Sequence, residues 1–131
     1  MEAEVAGSMS GVKLTRREDD IDMTILPGTS LSFDLILDDA GRAEDLTGWS
    51  IALTAIANNG AVVLDLSTAN GKATILPIGG AGTDALVNGR VRFEEAPEVT
   101  ARAKNGTWKV MVITPAGKIA QIVSGRVGGC K

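Results

Sequence analysis

Between Ser30 and Leu37 the chain places Leu31, Phe33, Leu35 and Leu37 at every second position, with Ser30, Ser32 and Asp34 on the opposite parity. A period of two puts one set of side chains on a single face of an extended strand and leaves the other for solvent. Similar runs recur along the chain. Ile21, Met23 and Ile25 share a face in IDMTIL, and Pro27-Gly28 ends the run, from which a hairpin-like return into the next strand is expected. Trp49, Ile51, Leu53 and Ala55 share a parity; AVVLDL (61–66), KATILPI (72–78) and GRVRF (89–93) follow as shorter strands. In TWKVMVITPAGKIAQIVSGRV, Trp108, Val110 and Val112 face one way, and Met111 and Ile113 the other. Apolar residues on both faces point to a central strand or one covered by a partner.

The segments between these runs carry turn chemistry. DDAG (38–41), ANNGA (57–61), STANGK (67–72) and Thr114-Pro115-Ala116-Gly117 combine Asp or Asn, which bond their own backbone, with Gly or Pro. Asn59-Gly60 is a favoured hairpin dipeptide. Sixteen glycines in 131 residues fit that density of turns. EEAPEVTARAK (94–104) has carboxylates first, Pro97 early and basic residues late, the charge order of one or two helical turns. About eight strands, turns every eight to twelve residues or so and one helical connection indicate an all-β sandwich. The glycine-rich stretch 79–89 reads as an exposed loop.

One domain is expected, spanning 19–128, since a chain of this length closes around a single core. Residues 1–18 differ in character, with small polar residues running into the mixed charges of KLTRREDDID (13–22). They are expected to form a flexible N-terminal arm, either unstructured alone or docked on a neighbouring subunit through Lys13, Arg16 and Arg17. Residues 129–131 form a short tail. Its Cys130, the one cysteine, is either a free thiol or half of an interchain disulfide. A single cysteine also fits synthesis in a reducing compartment. The acidic start lacks the charge and apolar core of a signal peptide, and no run reaches the roughly 18 apolar residues of a membrane helix.

The composition removes several chemistries. With no histidine, no Ser-His-Asp or Cys-His mechanism and no imidazole metal site can be built. A net charge of −3, with basic residues scattered, gives no broad surface for a phosphate backbone, so nucleic acid is not an expected partner. Asp38, Asp39, Glu44 and Asp45 surround Gly41, but the spacing lacks the alternating ligands and late bidentate carboxylate of a calcium loop. Gly79-Gly80-Ala81-Gly82 lacks the Lys-Ser/Thr and helix start of a phosphate loop. Four aromatics are available, Phe33, Trp49, Phe93 and Trp108; each lies on an expected strand in phase with aliphatic residues, which makes them core anchors rather than a sugar-stacking platform. No catalytic residue, cofactor or metal is nominated.

Taken in order, Pro27 to Ser30, the alternating Leu31 to Leu37, the acidic turn Asp38 to Gly41, Asp45 to Trp49 (DLTGW), and Ser124 to Val127 form a layout. It resembles the immunoglobulin-like N-terminal domain of tailed-phage baseplate upper proteins and related phage tail and virion accessory proteins. The resemblance covers nearly all of the chain beyond residue 19, with DLTGW and the acidic turn as its distinctive part. It implies an immunoglobulin-like β-sandwich of about seven or eight antiparallel strands and a non-enzymatic, homo-oligomeric virion module. Such a module docks other virion structural proteins of the tail, baseplate or fibre attachment, without nucleic acid or membrane. Members often continue into a fibre or receptor-binding region; this chain ends at Lys131, which suggests an adaptor. A carbohydrate-binding β-sandwich, for head decoration or host adhesion, is the alternative.

Overall fold

A computed structural model describes residues 2–17, 20–39, 42–43, 45–76, 89–102 and 104–129. In chain order the strands are β1 (Glu2–Ser10), β2 (Val12–Arg17), β3 (Asp20–Ile25), β4 (Leu31–Asp39), β5 (Arg42–Ala43), β6 (Ser50–Ala57), β7 (Val62–Ser67), β8 (Ala73–Leu76) and β9 (Arg90–Glu95). One helical turn, α1 (Pro97–Thr100), leads to β10 (Gly106–Ile113) and β11 (Ile119–Gly129). The strands form two sheets. The first has the order β1-β4-β9-β8, with β5 also on β4; the second has the order β2-β3-β11-β10-β6-β7.

The inward parity of each strand supplies the core. Leu31, Phe33, Leu35 and Leu37 of β4 are buried, as are Val91 and Phe93 of β9. From the second sheet come Ile21, Met23 and Ile25 of β3, Ile51, Leu53 and Ala55 of β6, and Trp108, Val110 and Val112 of β10. All belong to one continuous hydrophobic cluster. Strands β4, β9 and β8 take the places of B, E and D in an immunoglobulin sandwich, and β6, β10 and β11 those of C, F and G. The architecture is therefore an immunoglobulin-like, all-β sandwich.

An aromatic contact joins the layers. Phe33 and Phe93 are cross-strand partners with ring centroids 5.3 Å apart, and Phe33 meets the edge of Trp108 in the other sheet at 6.4 Å and 85°. Trp108 also donates its indole N–H to the Ile21 carbonyl at 2.8 Å, so its one polar atom is satisfied inside the core. Opposite Trp108 on β11 stands Gly125, and a Cβ there would collide with that same carbonyl. The close approach of β3 to β11 thus requires a glycine.

Residues 2–17 are not the expected flexible arm. β1 pairs antiparallel with β4 from Glu2↔Asp38 to Ser10↔Ser32, and β2 pairs with β3 from Val12↔Ile25 to Arg17↔Asp20. Between them the chain crosses from one sheet to the other at Gly11, whose φ of +71° suits glycine and whose carbonyl accepts from Leu26 N–H at 2.9 Å. The charge run concealed an alternation: Val12 is buried and Leu14 packs against the core, while Lys13 and Thr15 are exposed.

Four further expectations change. The described residues hold eleven strands rather than seven or eight, the excess coming from β1, β2 and the two-residue β5. Not all pairing is antiparallel, since β11 runs parallel to β3 from Val127↔Met23 to Gly129↔Ile25. This pairing also carries ordered structure through Gly129, where a tail was expected. Pro27-Gly28 does not close a hairpin; β3 and β4 belong to different sheets, and the turn carries the chain across. Thr29 fixes that crossing by donating its hydroxyl to Leu26 O at 2.7 Å, while its own carbonyl accepts from the buried Thr100 hydroxyl at 2.6 Å.

Two outcomes follow from these contacts. Trp108→Phe keeps a ring in the core but leaves the Ile21 carbonyl without its donor, and urea unfolding is expected to show a loss of about 1–3 kcal/mol; an unchanged midpoint would show that water or another donor replaces the indole. Trypsin is expected to cut after Lys13, Arg16 and Arg17 only as fast as β2 opens from β3. Rapid trimming that leaves the rest of the domain intact would restore the arm.

Candidate interaction surface

The four aromatics named from sequence fall into two groups. Phe33, Phe93 and Trp108 are core residues, with at most 1% of their surface exposed. Trp49 is only half-buried and packs on the edge of the core, one residue before β6 begins. Its position corrects the expectation of a full core anchor: it lies at the end of the DLTGW turn, ahead of the strand, and is only partly covered. In that turn Asp45 accepts from Thr47 N–H at 3.2 Å and from the Thr47 hydroxyl at 2.7 Å, and Trp49 N–H donates to Leu46 O at 3.0 Å. The tight turn drives Leu46 into the core with no exposed surface. The distinctive pentapeptide is thus a corner with a buried peg between β4 and β6.

Lys13 and Arg16 lie exposed on β2. Arg17 ends the same strand, and Cys130 lies outside the described residues, as do Glu44 and the stretch 77–88 that contains most of the expected glycine-rich loop. Among the described residues, no group of three or more His, Cys, Asp or Glu side chains is placed to hold a metal ion.

The outer face of the first sheet carries a charge cluster that alternation had assigned to solvent. Asp34 is buried although it lies on the polar parity of β4. Arg92, its direct partner on β9, donates from Nε to Oδ1 at 2.8 Å and from Nη2 to Oδ2 at 3.2 Å; Arg90 Nε stands 3.4 Å from Oδ2. The hydrogen bonds and charge of Asp34 push the Arg92 pKa above its ordinary value. With the Asp34 charge in place, the linked stability is present below the ordinary arginine range and is lost as pH rises through the raised value. Both carboxylate oxygens face guanidinium groups, so Asp34 clamps β4 to β9. A second clamp joins Lys72 Nζ to Glu95 Oε2 at 2.9 Å, while Glu95 Oε1 accepts from Ala96 N–H at 2.8 Å. The sequence signal was the run of charges on β9, Arg90, Arg92, Glu94 and Glu95, set against a lone acid, Asp34, in one case and a lone base, Lys72, in the other.

The outer face of the second sheet is different. The registers of β7, β6, β10 and β11 align three rows across it: Val62, Ile56, Thr107 and Arg126; Asp65, Thr54, Lys109 and Ser124; and Ser67, Ala52, Met111 and Gln121. One step beyond, Ile113 pairs with Ile119 on one side and Ser50 on the other. Ile56, Val62, Ile113 and Ile119 are all exposed, Val62 by 63% and Ile119 by 64%. A depression of about 310 Å³ lies over β10, lined by Thr54, Ile56, Thr107, Trp108, Lys109, Gln121 and Ser124. Its open, mixed lining of aliphatic, hydroxyl and ammonium groups suits contact with another surface better than enclosure of a small molecule. β10 is central, the first of the two alternatives its two-faced apolar pattern allowed, yet Ile113 on its outer side remains 43% exposed.

The sequence matches no protein-family model and no curated protein. Among solved structures, the chain is similar to the RIG-5 IG1 homodimer, at 10% identity and a TM-score of 0.43 over 93% of this chain and 100% of that one. It is also similar to CopC from Methylosinus trichosporium OB3b, at 15% identity and 0.36 over 92% and 96%, and to murine CRIg, at 10% and 0.33 over 95% and 100%. Likenesses at this level carry no argument about ligands or partners.

If Asp34 is a clamp, Asp34→Ala leaves two guanidinium groups side by side without the carboxylate that bonds them, whereas Arg90→Ala still leaves Arg92 paired. Thermal melts followed by circular dichroism are expected to rank Asp34→Ala well below Arg90→Ala, and equal midpoints would assign the cluster no structural weight.

Proposed function

We propose that this chain is a small structural module of a tailed-phage virion, an adaptor of the tail, baseplate or fibre attachment apparatus that works by protein–protein contact and carries no catalytic role. The observation that supports docking is the outer face of the second sheet, where Ile56, Val62, Ile113 and Ile119 stand exposed across neighbouring strands. Exposed aliphatic groups gathered on one sheet face gain free energy when another surface covers them. The virion setting rests on the resemblance of the acidic turn and DLTGW corner. Its partners in this reading are other virion structural proteins and further copies of the chain, and its place is the particle.

The carbohydrate-binding alternative has less to draw on. A sugar stacks on an exposed aromatic ring, and of the four aromatics only half-buried Trp49 offers part of one. The reading is tested by raising antibodies to the purified protein and applying gold-labelled antibody to tailed particles from the strain that carries the gene. Label at a fixed position on the tail or its tip is the expected result. Purified particles free of the protein by both labelling and mass spectrometry would overturn it.

A further inference from the structure

We infer that the outer face of β6, β7 and β10 is a two-fold contact between two copies of this chain. The inference deepens the docking reading by naming one partner, and rests on it only in taking this face as a contact surface.

The registers supply the argument. Asp65 and Lys109 lie in one row on either side of Thr54, at the same distance from β6 and about 10 Å from each other. Both are exposed, and neither has an ion-pair partner among the described residues. A two-fold axis running along β6, in the plane between two stacked faces, exchanges the columns on its two sides. Asp65 of each copy then meets Lys109 of the other, so opposite charges pair twice. Thr54 meets Thr54 and Ile56 meets Ile56 on the axis itself. An axis laid across the strands through this row would instead set lysine against lysine.

Shape follows the same symmetry. Val62, the more exposed of the two apolar side chains in its row, protrudes from β7, while the depression lies over β10 on the other side of β6. Exchanging the columns places Val62 of each copy over Thr107 at the depression of the other. A protrusion, a hollow, an anion and a cation are therefore all matched by one operation. Aligned sheets stack about 10 Å apart, a separation that side chains of this length span. The three strands present a face of roughly 14 by 20 Å, which suits a weak, reversible dimer rather than an obligate one.

Sedimentation equilibrium of the full chain tests this directly. The mass is expected to rise from 13.5 kDa toward twice that value with concentration. Lys109→Glu and Asp65→Lys each set like charges together at both contacts and are expected to weaken association about tenfold or more. The double variant Lys109→Glu with Asp65→Lys restores opposite charges and is expected to recover most of the wild-type affinity, which a merely misfolded variant could not do. A wild type that stays monomeric, single reversals that leave association unchanged, or a double variant no better than the singles would each overturn the inference. The virion reading fails separately, through unlabelled particles, whatever the purified protein does in the centrifuge.

Discussion

Phe33 and Trp108 meet at the middle of the sandwich, and the contact ties together elements that the chain keeps far apart. Phe33 belongs to the first sheet and is bound in register to Phe93; Trp108 belongs to the second and holds the Ile21 carbonyl through its indole N–H. Strands β4 and β10 occupy the places that antibody domains join with a disulfide. A chain whose single cysteine lies near its end has no such bridge to use. Burial of three large rings, with the one polar atom among them hydrogen-bonded, takes over the role of registering the two layers.

That arrangement explains why the N-terminal strands matter. The Ile21 carbonyl is held by Trp108, and Gly125 lets β3 come close enough for the bond. β3 then needs a neighbour on its other side, which β2 provides, and β1 covers the flank of β4 after the crossing at Gly11. These two strands move the sheet edges outward, so that β4 and β3, which carry core residues, are paired on both sides.

Much of this was legible in the residues. The alternation of Leu31 to Leu37 and of Trp108 to Val112 located the two central strands, and Asn59-Gly60 and Thr114 to Gly117 marked the hairpins that form there. The N-terminal strands were hidden because Lys13, Arg16 and Arg17 dominate a stretch in which only Val12 and Leu14 report the buried face. Parallel pairing of β3 with β11 leaves no local mark, since its partners lie about a hundred residues apart. Asp34 obeyed the period of its strand, and nothing local could show that Arg90 and Arg92 would arrive beside it from β9 and take it out of solvent. Trp49 kept the parity of β6 but lies just ahead of the strand, at the rim of the core, where it is only partly covered.

The two outer faces of the sandwich differ in how their charges are used. On the first sheet, opposite charges are neighbours in the same molecule: Arg92 stands across from Asp34, and Arg90 Nε lies 3.4 Å from the same carboxylate. Such a face satisfies itself and gains little from a partner, because a new contact would first have to disrupt clamps already made. On the second sheet Asp65 and Lys109 have equal and opposite charge but are held two strand spacings apart by Thr54. They do not pair with each other along that row, while both can be satisfied at once by a surface with the reverse order. The exposed Ile56 and Val62 beside them add an apolar gain to the electrostatic one. The sheet geometry that keeps these two charges apart within one copy is the same geometry that would bring them together between two.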